Sequence, residues 1–154
     1  MSDQKYVFDS NAFMNMQRHC PPDIFISLWD KIEILVTKGQ IFSSDEVLEE
    51  IERGNDPLVD WAHSHPSIFL PSDEAVQLKV RDILSKYPKL VQSSKKTNGA
   101  DPFVISIAAI NDCVVVSDEG TGNELAPKIP FVCNAYGVRC IKFNDFLREM
   151  RFTL

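Results

Sequence analysis

The stretch Cys113-Val114-Val115-Val116-Ser117 restricts the fold more than any other in the chain. A continuous apolar run without polar alternation does not suit a strand with one face in water. It suits a central parallel strand covered on both faces. The segment before it, Pro102 to Asn111, carries Phe103, Val104, Ile105, Ile107, Ala108, Ala109 and Ile110 and is predicted as a helix. A helix that is apolar almost all round is a buried one.

Strands and helices alternate along the rest of the chain. Tyr6 to Phe8 reads as a first strand, and Ser10 to about Arg18 as a short helix broken by Cys20-Pro21-Pro22. Phe25, Leu28, Trp29, Ile32, Leu35 and Val36 follow the i, i+3, i+4, i+7 spacing of an amphipathic helix that Gly39 ends. Gln40 to Ser43 is a brief strand. The Ser-x-x-Glu of Ser43-Ser44-Asp45-Glu46 is a capping box that opens a helix with Val47, Leu48 and Ile51 inward. Gly54-Asn55-Asp56-Pro57 closes that helix and starts another, and Ile68-Phe69-Leu70 is a short strand or an extended link. A helix is predicted from Asp73 to Tyr87, a mobile lysine-bearing loop from Pro88 to Gly99, and a short helix from Lys128 to Tyr136. Val138 to Ile141 is the last strand and Asn144 to Met150 the last helix. The expected class is α/β: a three-layer α/β/α arrangement with a small central parallel sheet, in one domain over residues 1–154.

Acids fall where such a sheet binds ligands, at strand ends and helix starts. Asp9 follows the first strand, Asp101 opens the buried helix, and Asp118-Glu119 leave the apolar strand. A further group, Glu46, Glu49, Glu50 and Glu52, lies on the Val47/Leu48/Ile51 helix. Glu50 and Glu52 sit at the two borders of its apolar stripe, and periodicity does not choose between them. Each acid has a structural reading of its own: Asp9 and Asp101 as helix caps, Asp118 and Glu119 as turn residues, the glutamates as a solvated face. Gathering several carboxylates in one pocket raises their pKa values, so such a cluster persists mainly by holding a cation. Oxygen-only ligands favour Mg²⁺ or Mn²⁺.

The formal net charge of −6 gives no global basic field, leaving nucleic-acid binding to a local patch. No G-x-S-x-G, Walker A or G-x-G-x-x-G motif is present, and Gly120-Thr121-Gly122 alone is weak evidence for phosphate binding. The four cysteines (Cys20, Cys113, Cys133, Cys140) form no C-x-x-C pair and read as free thiols. His19, His63 and His65 lack metal-ligand spacing and are expected at the surface. With no signal peptide and no membrane-length apolar segment, the expected location is the cytoplasm.

The ordered motifs resemble the PIN domain, the nuclease fold of VapC-like toxins. They are Phe8-Asp9-Ser10-Asn11, Glu50-Ile51-Glu52-Arg53-Gly54, Ala100-Asp101-Pro102 ahead of Ile107-Ala108-Ala109, and Val115-Val116-Ser117-Asp118-Glu119. The resemblance spans residues 5 to 146. The Trp29 helix and Ile129-Pro130-Phe131-Val132-Cys133 look like features of a distinct, poorly described branch. It implies that Asp9, Glu50 and Asp101 hold one or two Mg²⁺ or Mn²⁺ ions, with Asp118 or Glu119 completing the site. Ser10, Asn11 and Ser117 would orient ligands or water, and Arg53, Lys95 and Lys96 would contact phosphates. The implied activity is metal-dependent endoribonuclease cleavage of RNA by the toxin of a toxin-antitoxin pair, with an antitoxin partner, no membrane association and homodimerisation. The alternative is a non-catalytic PIN-like module that binds RNA or protein. An aspartate-nucleophile phosphatase ranks below both, because Asn11 stands where it needs a second Asp.

Overall fold

The computed structural model describes residues 4–54, 57–92 and 99–152. Among them a five-stranded sheet runs in the order β3-β2-β1-β4-β5, from β1 (Tyr6–Phe8), β2 (Ile41–Ser44), β3 (Phe69–Leu70), β4 (Val114–Val116) and β5 (Cys140–Ile141). Every neighbouring pair is parallel. The helices are α1 (Ser10–His19), α2 (Ile26–Thr37), α3 (Asp45–Glu52), α4 (Pro57–His63), α5 (Glu74–Lys86), α6 (Lys89–Gln92), α7 (Asp101–Asn111), α8 (Ile129–Ala135) and α9 (Phe143–Glu149). They flank the sheet, and the class is the PIN-like α/β arrangement expected. No helix among the described residues is long and apolar enough to cross a membrane.

The chain leaves β1 towards β2 and β3, then returns to the other side of β1 for β4 and β5. The strand order therefore reverses between β1 and β4, and an open parallel sheet has its ligand crevice at that point, beyond the carboxyl ends of the strands. Register aligns the two ends: Phe8 lies beside Val116, and the Asp9 N–H donates to the Val116 carbonyl at 3.0 Å. Every residue of β1 and β4 is buried, as the uninterrupted Val114-Val115-Val116 run requires.

The core on one side is aromatic. Phe8 packs edge-to-face on Phe146 at 5.0 Å and lies 5.0 Å from Phe13, which reaches Phe69 and Trp61. Burying each such ring removes apolar surface from water, worth roughly 1.5–3 kcal/mol. The expected α2 stripe is buried at Leu28, Trp29, Ile32, Leu35 and Val36, with Gly39 closing the helix at a φ of 72°. On the other side α7 is buried over most of its length, although its last apolar residue, Ile110, reaches solvent.

Three local expectations shift. β2 continues through Ser44, so Ser44 rather than Ser43 caps α3, its hydroxyl accepting from the Glu46 N–H at 3.0 Å. Ser43 instead donates to the Phe8 carbonyl. Lys89–Gln92 is a short helix rather than loop, anchored by the fully buried Leu90. His65 is half-buried: its ring stacks on Trp61 and bonds to the Trp61 carbonyl and to Glu33. Lys95, Lys96 and the rest of 93–98 lie outside the described residues, as do Asn55 and Asp56.

Candidate metal centre

The apolar run of β1 ends at Phe8, and the backbone turns into α1 through Asp9 in an extended conformation. One Asp9 carboxylate oxygen accepts from the Ser10 N–H at 2.8 Å and the other from the Ser117 hydroxyl at 3.1 Å. Asp9 thus caps α1 and still faces the crevice, so its structural and chemical readings hold together. Asp101 differs. It is the first residue of α7, after Ala100, whose backbone is already in the right-handed helical region, and it makes no side-chain cap bond. Its Oδ2 is buried and has no hydrogen-bond partner. A buried carboxylate oxygen left in that state is costly unless something else meets it.

The third acid is Glu119. Carboxylate oxygens of Asp9, Asp101 and Glu119 all lie within 4.8 Å of one another. Glu119 is placed by the loop after β4: its N–H reaches the Ser117 hydroxyl at 3.3 Å, and its Oε1 accepts from the Ile129 N–H at the start of α8, also at 3.3 Å. Gly122 makes this loop possible. Its φ is +75°, and a Cβ there would stand 2.6 Å from the Ala126 oxygen and the Lys128 nitrogen. Within Gly120-Thr121-Gly122, the second glycine is thus explained by sterics.

Asp118 is turned away. One of its oxygens accepts from Asn15 Nδ2 at 2.7 Å and the other from the Phe143 N–H at 2.9 Å, so it pins α1 and caps α9. Of the two acids expected as alternatives for the fourth ligand, Glu119 lies in the group of three and Asp118 does not. Asn11 holds this division, its Oδ1 accepting the Asp118 N–H at 3.0 Å. Glu50 is buried on α3 but outside the group of three. Both its oxygens have protein donors, the Ser10 hydroxyl at 2.8 Å and the Ala100 N–H at 3.3 Å. It thereby ties the residue after Asp9 to the residue before Asp101. The choice between Glu50 and Glu52 is made by α4, whose His63 meets Glu52 at the surface.

Burial is the first cause of the unusual acidity here. It pushes the Asp9 carboxyl up to about 7, helped by the charges of Glu119 and Glu50 and opposed by the bonds from Ser10 and Ser117. Asp101 is raised well above the usual carboxylate range by burial, then by Asp9, Glu119 and Glu50, with Lys128 opposing. Glu50 is raised by burial as well, against its two hydrogen bonds. Like charges held this close in a dry site are those a divalent cation relieves. Three carboxylates with one unpartnered buried oxygen suit a hard, oxygen-ligated ion such as Mg²⁺ or Mn²⁺.

The sequence model of one family matches residues 6–154. The chain belongs to the DUF4411 family, a domain of unknown function. A comparison with curated proteins gives no match. Among solved structures, this DUF4411 chain is similar to FitAcB from Neisseria gonorrhoeae, with 15% identity and a TM-score of 0.55 over 90% of this chain and 97% of that one. It is also similar to FitAB bound to an IR36 DNA fragment, again at 15% identity, with a TM-score of 0.53 over 90% and 94% of the two chains. At that identity the likeness concerns the fold.

Asn15 and Lys128 are among the site-supporting residues of the DUF4411 chain that sequence reasoning missed. Neither carries a local signal, because each acts on a residue far along the chain. The division of labour at Asp118-Glu119 gives a direct expectation. Glu119→Gln should weaken Mn²⁺ binding at least tenfold with little change in melting temperature, read by calorimetry and thermal denaturation. Asp118→Ala should do the reverse, costing about 1–2 kcal/mol through the lost cap and leaving Mn²⁺ binding within a few-fold.

Proposed function

We propose that this protein is a metal-dependent endoribonuclease whose centre is the Asp9, Asp101 and Glu119 cluster. The observation that carries the reading is the convergence of these carboxylates at the strand-order reversal, with one oxygen of Asp101 buried and unpartnered. A bound Mg²⁺ or Mn²⁺ would supply a water of lowered pKa and positive charge for the phosphoryl oxygens.

The chain's own residues do the holding. Ser10 and Ser117 each donate to one oxygen of Asp9 and so orient its carboxylate. Glu50 fixes the spacing between the starts of α1 and α7, which is the spacing between Asp9 and Asp101. Ile129 fixes Glu119. Lys142 donates to the Glu119 carbonyl at 3.0 Å and so steadies the loop that carries it. RNA as substrate, and a role as the toxin of a toxin-antitoxin pair with an antitoxin partner, are supported by the resemblance to VapC-like toxins. The FitAB-like fold is compatible with them.

The test is incubation of an end-labelled RNA with the purified protein in Mg²⁺, Mn²⁺ or excess chelator. Internal cleavage in either cation and none with chelator is the expected pattern. Intact RNA in all three, together with no saturable Mn²⁺ binding, would leave the non-catalytic binding module as the better reading. Cleavage of DNA but not RNA would move the substrate class.

A further inference from the structure

A groove of about 460 Å³ runs between the end of α5, α6 and the first turn of α8. Lys86, Tyr87, Lys89, Glu124 and Phe131 line it. Tyr87 and Phe131 meet edge-to-face at 6.2 Å and 82°, forming an aromatic corner that is only half-buried. Lys86 is positioned there by Asp82 at 3.6 Å and by the Tyr136 ring, 5.6 Å from its ammonium. Lys89 makes no ion pair among the described residues.

We propose that this groove is a subsite for single-stranded RNA, with one base against the Tyr87 and Phe131 rings and adjoining phosphates met by Lys86 and Lys89. The inference rests on the ribonuclease reading and adds where the strand lies. Three observations support it. In a chain of net charge −6, this rim carries two lysines against one acid, Glu124. Basic side chains beside exposed aromatic faces are the recurrent means of holding a single strand without reading its sequence. The first turn of α8 also links the groove to the acids: it carries Phe131 and Ile129, the Ile129 N–H bonds Glu119, and the Phe131 N–H donates to the Thr121 carbonyl at 3.2 Å. A strand lying on the aromatic corner would therefore rest on the same helix start that holds Glu119.

The test is fluorescence anisotropy of a labelled single-stranded RNA on the full chain carrying Asp101→Asn, over a range of salt. Lys86→Gln with Lys89→Gln should flatten the slope of log affinity against log salt by about 1.4, two contacts at about 0.7 each. Tyr87→Leu or Phe131→Leu, which keep apolar bulk, should weaken binding about 5- to 100-fold. Circular dichroism melts confirm that each variant is folded. Unchanged affinity and slope in the folded variants, or no RNA binding by the parent, would overturn the groove. Cation-dependent RNA cleavage by the wild type would still leave the ribonuclease reading standing in that case. Conversely, weakened binding in the variants with a wild type that never cuts RNA would uphold the groove and remove the nuclease.

Discussion

Asp101→Asn is expected to lower Mn²⁺-dependent RNA cleavage about a thousandfold or more while raising the melting temperature of the metal-free protein. The two effects have one cause. Asp101 offers the cluster an oxygen that no protein group satisfies, in a site where burial and three neighbouring acids oppose its ionisation. With a cation present that oxygen is a ligand, and a lost ligand removes several kcal/mol of charge stabilisation, at tenfold in rate per 1.36 kcal/mol. Without a cation the charge only destabilises, and an amide of the same shape can donate to the adjacent carboxylates. Cleavage rates on labelled RNA and thermal melts in chelator measure both. A variant that keeps wild-type cleavage, or loses it only through unfolding, would contradict the assignment.

The second large effect is on stability against pH. The native Asp9 carboxyl titrates near 7 against an ordinary 3.8, and Asp101 and Glu50 are also raised. Between those values the folded protein holds protons that the unfolded chain has released. Stability of the metal-free protein therefore falls as pH rises from about 4 through 7, by at most about 4 kcal/mol for Asp9 alone. Scanning melting temperature from pH 5 to 8 in chelator should show this decline, with a shallower one in Asp9→Asn. Mn²⁺ should restore most of the loss at pH 8 and little at pH 5, because it competes with the protons it displaces. Equal stability at both pH values, indifferent to Mn²⁺, would mean that the carboxylates do not form one coupled site.

Much of this architecture was legible in the residues, for identifiable reasons. β4 is covered on both faces and α7 over most of its length, so neither needs a full polar face, and their apolar runs announce it. Asp9 stands out because an apolar strand stops at it. Glu50 and Glu52 were indistinguishable because both border the α3 stripe. The answer lies in α4 and in Ser10 and Ala100, which meet one or the other. Asp118 and Glu119 were inseparable for the same kind of reason. Their directions depend on Asn15 and on the Phe143 and Ile129 backbone, all distant in sequence. Asp101 looked like a helix cap because Asp-Pro is a good opening pair. The backbone enters α7 one residue earlier, at Ala100, and this frees the carboxylate for the crevice. The short helix α6 escaped notice because only Leu90 anchors it, too little to set a period.

The most direct measurement is anomalous diffraction from crystals of the wild-type protein soaked in Mn²⁺. A peak bonded to oxygens of Asp9, Asp101 and Glu119, with Asp118 still tied to Asn15 and Phe143, is the result expected. A crevice without manganese, or manganese held by Asp118 instead of Glu119, would contradict it.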